Sequence, residues 1–182
     1  RNERSRAMRR GGVHTILTFG ISTAGKDLLL TPDRFGAMSV KSDEQVSYLR
    51  ESAIESLRLA IELYNRPHST ARKTSVLILL GHAFEMLLKA SIVENGGSIH
   101  TEGDNNQTIG FKKAIYTCRH GENEDVRILE EDEVITLNKI RNDRDSAAHY
   151  LIDTSERQLY VFAEAGVTLF DNLLGRVFDE TL

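Results

Sequence analysis

The chain has 182 residues, 40% hydrophobic and 27% charged, a composition that supports a globular core and excludes a disordered chain. Its formal net charge of −4 is unevenly spread: residues 1–37 carry seven Lys/Arg against three Asp/Glu, whereas residues 38–182 carry sixteen against twenty-four. An excess of acid over most of the chain argues against broad non-specific nucleic-acid binding, which depends on neutralising phosphates, and leaves room only for a local basic patch.

The single cysteine, Cys118, rules out an internal disulfide framework and fits a reducing compartment. There is no uninterrupted apolar run of the roughly 18 to 20 residues that cross a bilayer, and no compact apolar stretch of the kind a signal peptide needs. A cytoplasmic location without a membrane partner is the expectation.

Residues 1–37 show no sustained period of 3.6 or 2 and are punctuated by Gly11, Gly12, Gly20, Gly25, Pro32 and Gly36. They are expected to form an arm of low structural content, with the domain proper at 38–182. Ser42 and Gln45 read as a capping-box pair opening a helix, in which Val46, Leu49, Ala53, Leu57, Ala60, Ile61 and Tyr64 form the apolar stripe. Pro67 ends it.

A second helix, from about Arg72 to Glu94, is apolar on nearly all sides and is expected at the centre of the domain, with Gly96-Gly97 as its stop. The polar stretch 96–109 reads as a loop with a short hairpin. A short helix over Gly110–Arg119, a charged turn at 120–126 and a fourth helix over Glu131–Tyr150 follow. Asp153-Thr154-Ser155 breaks the fourth helix, and a second S-x-x-Q pair, Ser155 and Gln158, opens a last helix reaching about Phe178. The fold class expected from this order is all-α, an antiparallel bundle of four to five helices. Tyr48, Tyr64 and Tyr160 are expected in the core or at its boundary.

Two constellations could carry chemistry. The first is the run RNDRDSAAHY at the end of the fourth helix. At about 100° per residue Arg141 and Asp145 share a face, with Arg144 and His149 to either side. A guanidinium is a planar fork of donors suited to phosphate, and a histidine can exchange a proton near neutral pH. Asp145 could orient His149 at i, i+4, and a tightening of the helix end could bring Arg144 and His149 together. The same residues could equally be a solvated face, since a basic residue in the last turn is favoured by the helix dipole.

The second constellation is the stripe of His82, Glu85 and Lys89 on the apolar second helix. Ionisable groups there need partners or water, so they either line a solvated seam or face a polar cleft beside the Arg/His cluster. Cys118-Arg119-His120 with His100 does not have metal-ligand spacing, and no metal or cofactor is expected.

The segments ESLRLAIELYNRP, LILLGHAFEMLLKASIV and RNDRDSAAHY together resemble bacterial uncharacterised domains of the HEPN superfamily (higher eukaryotes and prokaryotes nucleotide-binding) over about Ser42–Phe178. The superfamily signature, Arg then His after four to six residues, maps onto Arg144, Asp145 and His149. The resemblance implies a HEPN-like homodimer with two such motifs in one shared cleft. It also implies a metal-independent endoribonuclease of phage-defence or toxin–antitoxin type that leaves a cyclic phosphate. By that analogy Arg144 binds the scissile phosphate and His149 handles protons, with Asp145, Arg141, Asn142, Glu85, His82 and Lys89 in support and Lys112 peripheral. RNA, bound at a local site, and an antitoxin or nucleotidyltransferase are the implied partners; DNA is not. A non-catalytic helical module that binds nucleotide or RNA, or serves dimerisation, is the competing reading.

Overall fold

The computed structural model describes residues 34–67, 71–101, 104–149 and 155–182. Residues 1–33 of the expected arm, and Tyr150 to Thr154 in the break before the last helix, lie outside the described residues. Five α-helices stand among the described residues: α1 Arg34–Tyr64, α2 Arg72–Glu94, α3 Phe111–His120, α4 Glu131–His149 and α5 Glu156–Phe178. A hairpin of β1 His100–Thr101 and β2 Asp104–Thr108 joins α2 to α3, and a 3-10 turn, Glu124–Val126, precedes α4. The fold is an all-α helical bundle.

α2 is the axis of the bundle. Val76, Leu77, Leu80, Ala83, Phe84, Leu87, Leu88 and Ile92 are buried along it, and α1, α3, α4 and α5 all pack against it. By length and composition α2 could cross a bilayer, but here its apolar surface is covered by the other helices. α1 contributes Val46, Leu49, Ala53, Leu57 and Ala60, the expected stripe, while Ile61 at its edge is exposed. α4 contributes Leu137, Ile140 and Ala147, and α5 contributes Leu159, Leu169, Phe170, Leu173 and Leu174. The Phe84 and Phe170 rings meet edge to face, their centroids 5.6 Å apart.

The helix ends follow from identifiable chemistry. α2 stops where Gly96 takes a positive φ of 74° and the Gly97 N–H donates to the Ile92 carbonyl at 2.7 Å. A side chain at Gly97 would put its Cβ 2.7 Å from Ile92 Cγ2, so the second glycine is required by packing. At α5 both halves of the capping box form: Ser155 Oγ accepts from the Gln158 N–H at 3.2 Å, and Gln158 Oε1 accepts from the Ser155 N–H at 3.0 Å.

The S-x-x-Q pair at Ser42 and Gln45 does not open a helix, because α1 is already helical from Arg34. Between Ala37 and Ser42 there is neither Gly nor Pro to stop the helix from running upstream, and Gly36 is tolerated at a cost of about 1 kcal/mol. Tyr48 and Tyr160 are also not core residues; they are 71% and 52% exposed. Tyr48 lies one position off the Val46/Leu49/Ala53 stripe, and Tyr160 one position after Leu159. Tyr64 is half-buried, with the Arg72 guanidinium 5.9 Å from its ring centre.

Among the side chains whose burial is described, Val46 is the first to enter the core. Of the described structure, a chain beginning at Met38 lacks only the first turn of α1, and it should keep the far-UV helical signal per residue and the cooperative melt of the full chain. A broadened melt, or a large drop in Tm, would show that the removed residues contribute packing.

Candidate functional site

The site is built where α4 crosses α2. Gly81 allows the two backbones to approach: a Cβ added there would lie 2.6 Å from Arg144 Cγ and 2.8 Å from Arg144 Cβ. The aliphatic stem of Arg144 therefore rests on the bare backbone of α2 at Gly81. Its head reaches one turn further, where Arg144 Nη2 donates to Glu85 Oε2 at 3.3 Å. The other guanidinium nitrogen, Nη1, donates to Asp145 Oδ1 at 3.0 Å.

Glu85 lies deep between cations. Its Oε1 accepts from Lys89 Nζ at 2.9 Å, and Lys89 also donates to Thr108 Oγ1 of β2 at 3.1 Å. The side chains of Lys89 and Glu85 are 6% and 12% exposed, and that of Arg144 is 31% exposed. One carboxylate thus anchors a fully internal ammonium and a half-exposed guanidinium. A guanidinium has five N–H donors; two of those of Arg144 are engaged by carboxylates, and the rest remain for a ligand.

Above this cluster lies an open depression of about 690 Å³, lined on one side by Arg141, Arg144 and Asp145 of α4 and on the other by Lys112, Lys113 and Tyr116 of α3. α3 is amphipathic: Phe111, Ala114, Ile115 and Cys118 are buried, which leaves Lys112, Lys113 and Tyr116 outside. Tyr116 is stacked on His120 with centroids 4.9 Å apart, and Lys113 Nζ lies 5.1 Å from the Tyr116 ring centre. Gly110, the residue before α3, supplies no side-chain cap for the first N–H groups of the helix.

The expected site residues divide. Glu85, Lys89, Arg144 and Asp145 are brought into one bonded cluster, and Arg141 joins them at the wall of the depression. Asn142 is exposed and accepts from Arg141 Nη2 at 2.9 Å. Arg141 Nε is shielded from solvent and has no hydrogen-bond partner among the described residues. His82 does not take part. Its Nδ1 lies 2.9 Å from Ser56 Oγ of α1 and, since that hydroxyl donates to the Ser52 carbonyl at 2.7 Å, His82 is the donor of the pair. The second helix's ionic stripe thus faces α4 at Glu85 and α1 at His82.

His149 is exposed in the last turn of α4, and the helix stays α-helical through it. No tightening draws it toward Arg144: over five residues a regular helix turns the two side chains about 140° apart. Asp145 is bonded to Arg144; no bond from it to His149 is found among the described residues.

Neighbouring groups complete the electrostatic picture. Burial pushes the Asp143 carboxyl above its usual range, with Lys139 acting against the shift, and its Oδ2 has no hydrogen-bond partner among the described residues. Burial also pushes the Cys118 thiol up to about 12, and its Sγ sits 3.8 Å from the Leu88 carbonyl inside the core. Cys118 is therefore a packed, protonated side chain and not a thiolate ligand. A second groove of about 380 Å³, lined by Leu57, Ile61, Tyr64, Leu80, Tyr160 and Val167 among others, separates α1 from α5 and is almost wholly apolar.

Sequence reasoning passed over Gly81, Thr108, Lys113 and Tyr116. The exposed face of α3 was readable from the spacing of its four buried positions. Gly81 was not, because only the α4 crossing gives a glycine inside an apolar helix its purpose.

Replacing Gly81 with Ala should force the Arg144 stem off α2. The expected cost is about 1–3 kcal/mol, read as a lowered midpoint in denaturant titration. A Gly81→Ala protein as stable as the parent would mean that α4 can move away at no cost.

The family model described as Domain of unknown function (DUF3644) matches residues 48–182, so the chain belongs to that family. Comparison with curated proteins gives no match, and neither does comparison with solved structures.

Proposed function

We propose that this DUF3644 protein is a metal-independent endoribonuclease of HEPN type, acting in a cleft shared by two copies of the chain. The observation that carries the reading is Arg144: a guanidinium held by a buried carboxylate, with unused donors at the edge of a cationic depression. A fixed, permanently charged fork is what a phosphate gaining negative charge in a transition state requires. His149, on the same helix and open to solvent, supplies the proton-exchanging group.

The reaction is an internal transesterification. The 2′-oxygen attacks the neighbouring phosphorus, a new P–O2′ bond forms and the P–O5′ bond breaks. The products are a 2′,3′-cyclic phosphate and a free 5′-hydroxyl. His149 accepts the 2′-hydroxyl proton or returns one to the departing 5′-oxygen, and Arg144 holds the non-bridging oxygens. Because Arg144 and His149 of one chain point about 140° apart, the reading requires the second copy to complete the cleft.

The apolar surface of α2 is consumed inside one protomer and does not itself call for a partner. Among the described residues, Tyr48, Tyr116, Ile135, Tyr160 and Val161 remain outside, each more than half exposed. Sedimentation of the purified chain at micromolar concentration should give twice the monomer mass. A monomer across that range would remove the shared cleft and the mechanism with it.

The catalytic assignment is tested with purified protein, RNA and excess EDTA. Wild type should cleave, leaving cyclic phosphate ends, and Arg144→Ala and His149→Ala should each lose about 10²–10⁴ in rate. His149→Ala should melt like wild type, since the side chain is exposed. Arg144→Ala abandons Glu85, so its melt is recorded beside its activity; Arg144→Lys keeps the charge and should still lose cleavage, because an ammonium lacks the fork. Undiminished cleavage by His149→Ala, or inhibition of wild type by EDTA, overturns the assignment.

The second reading, a non-catalytic helical module that binds nucleotide or RNA, is favoured by one observation: Arg144 and His149 are not preassembled within a protomer. It predicts RNA binding with no cleavage by wild type.

A further inference from the structure

The depression between α3 and α4 holds more positive charge than the Arg144 cluster explains. Within that cluster Glu85 offsets Lys89, and Asp145 offsets Arg144. Lys112, Lys113 and Arg141 remain, and no carboxylate pairs with any of them among the described residues. All three line the same depression, in a domain whose balance over residues 38–182 is sixteen Lys/Arg against twenty-four Asp/Glu. Like charges gathered without counter-charges in an acidic surround repel one another, and a bound anion relieves that repulsion.

The geometry also limits the kind of anion. A space of about 690 Å³ exceeds what a bare phosphate fills and lies in the range of small-molecule pockets. Tyr116, 55% exposed, stands at its wall with His120 stacked on it, and offers an aromatic surface beside the cations. Aromatic surface next to cations is the combination by which proteins hold single-stranded nucleic acid: the base on the ring, the phosphate on the charge. Gly110 and Phe111, at the start of α3 where no side chain caps the helix, also line the depression, and a helix start favours an anion.

We propose that this depression is a nucleotide subsite next to Arg144, in which Lys112, Lys113 and Arg141 bind the phosphate and Tyr116 the base of a residue flanking the one held by Arg144. The proposal rests on the RNA-directed reading of the Arg144 site and gives it a substrate class, a single strand that extends past the reacting phosphate onto α3. A free mononucleotide shares this chemistry, so the test separates the two sources.

The test is equilibrium binding, which does not depend on cleavage. A fluorescent eight-nucleotide RNA, 2′-O-methylated throughout so that it cannot be cut, is titrated with full-length wild type, Lys112→Ala/Lys113→Ala, Arg141→Ala, Tyr116→Ala, and a control, Arg58→Ala/Arg66→Ala, that removes equal charge at and just beyond α1. Lys112, Lys113, Arg58 and Arg66 are all exposed, so both double variants should fold, and their melts verify it. The double lysine variant should bind about ten-fold or more weakly at low salt, with the slope of log affinity against log salt reduced by about 0.7 for each phosphate it no longer neutralises. Tyr116→Ala should lose affinity with the salt slope unchanged, because stacking releases no counterions.

Adenosine monophosphate should displace the strand only at millimolar concentration if the ligand is a strand; displacement at micromolar concentration assigns the same subsite to a free nucleotide. The proposal is overturned if Lys112→Ala/Lys113→Ala and the Arg58/Arg66 control bind alike, or if wild type does not bind the strand or the mononucleotide. Its fate is separable from that of the nuclease: wild type that binds through Lys112 and Lys113 but never cleaves keeps the subsite and loses the nuclease, and cleavage by a double variant that binds like the control does the reverse.

Discussion

The carboxylate of Glu85 is the point on which the site depends. It lies on the most apolar of the five described helices, where an unpaired charge is strongly disfavoured, and it is stabilised by Lys89 on one oxygen and Arg144 on the other. Removing one partner from such a buried set typically costs about 3–5 kcal/mol, because the other charges are left without compensation. The arrangement therefore acts as a register device. It fixes which turn of α4 lies over which turn of α2, and through Lys89 and Thr108 it ties in the end of the hairpin that leads to α3. Gly81, one turn earlier on α2, makes the approach sterically feasible. An all-apolar interface would hold α2 and α4 together without specifying that alignment.

From this anchor the surface follows. α4 is held with Arg141, Arg144 and Asp145 toward α3, and α3 is held by Phe111, Ala114, Ile115 and Cys118 with its lysines toward α4. Two faces that are each ordinary in sequence become one cationic depression because both helices are bound to the same side of α2. The charge of Arg144 is met from beneath by Glu85, so the guanidinium is oriented without being used up. That is the difference between a positioned binding group and a surface arginine free to sample many rotamers.

Much of this was legible in the sequence, for reasons specific to each element. α2 and α5 were readable to within a residue or two because their ends carry unambiguous chemistry, Gly96-Gly97 in one and the Ser155–Gln158 box in the other. Glu85 and Lys89 were readable as a pair in need of partners, since an apolar helix cannot leave them bare. Ser42 and Gln45 misled, because a capping box requires a non-helical N-cap, and nothing in the pair itself reports what lies upstream. His82 misled for a different reason. It lies within about 60° of Glu85 around the helix and about 10 Å from Lys89 along it, and over that distance the neighbour changes from α1 to α4. Helical angle predicts which residues share a stripe; it does not predict which helix the stripe passes under. The α3 contribution needed tertiary structure, because Lys112, Lys113 and Tyr116 acquire meaning only from what stands opposite them.

The Arg144–His149 spacing shows the same distinction at the scale of the site. Read as a motif, Arg and His five positions apart suggest a pair meeting at one substrate. Carried on a regular helix, they stand about 7.5 Å apart along the axis and about 140° apart around it. Arg144 faces inward, bonded to α2 and bordering the depression, and His149 faces outward at the helix end. One chain therefore carries the guanidinium and the imidazole of the proposed site on different faces of α4. For them to act on one phosphodiester, something must bridge the two faces; under the proposed ribonuclease reading that bridge is a second copy of the chain. The contact with Glu85 holds Arg144 in place within a single chain, so the half of the proposed cleft that this chain supplies needs no partner to order it.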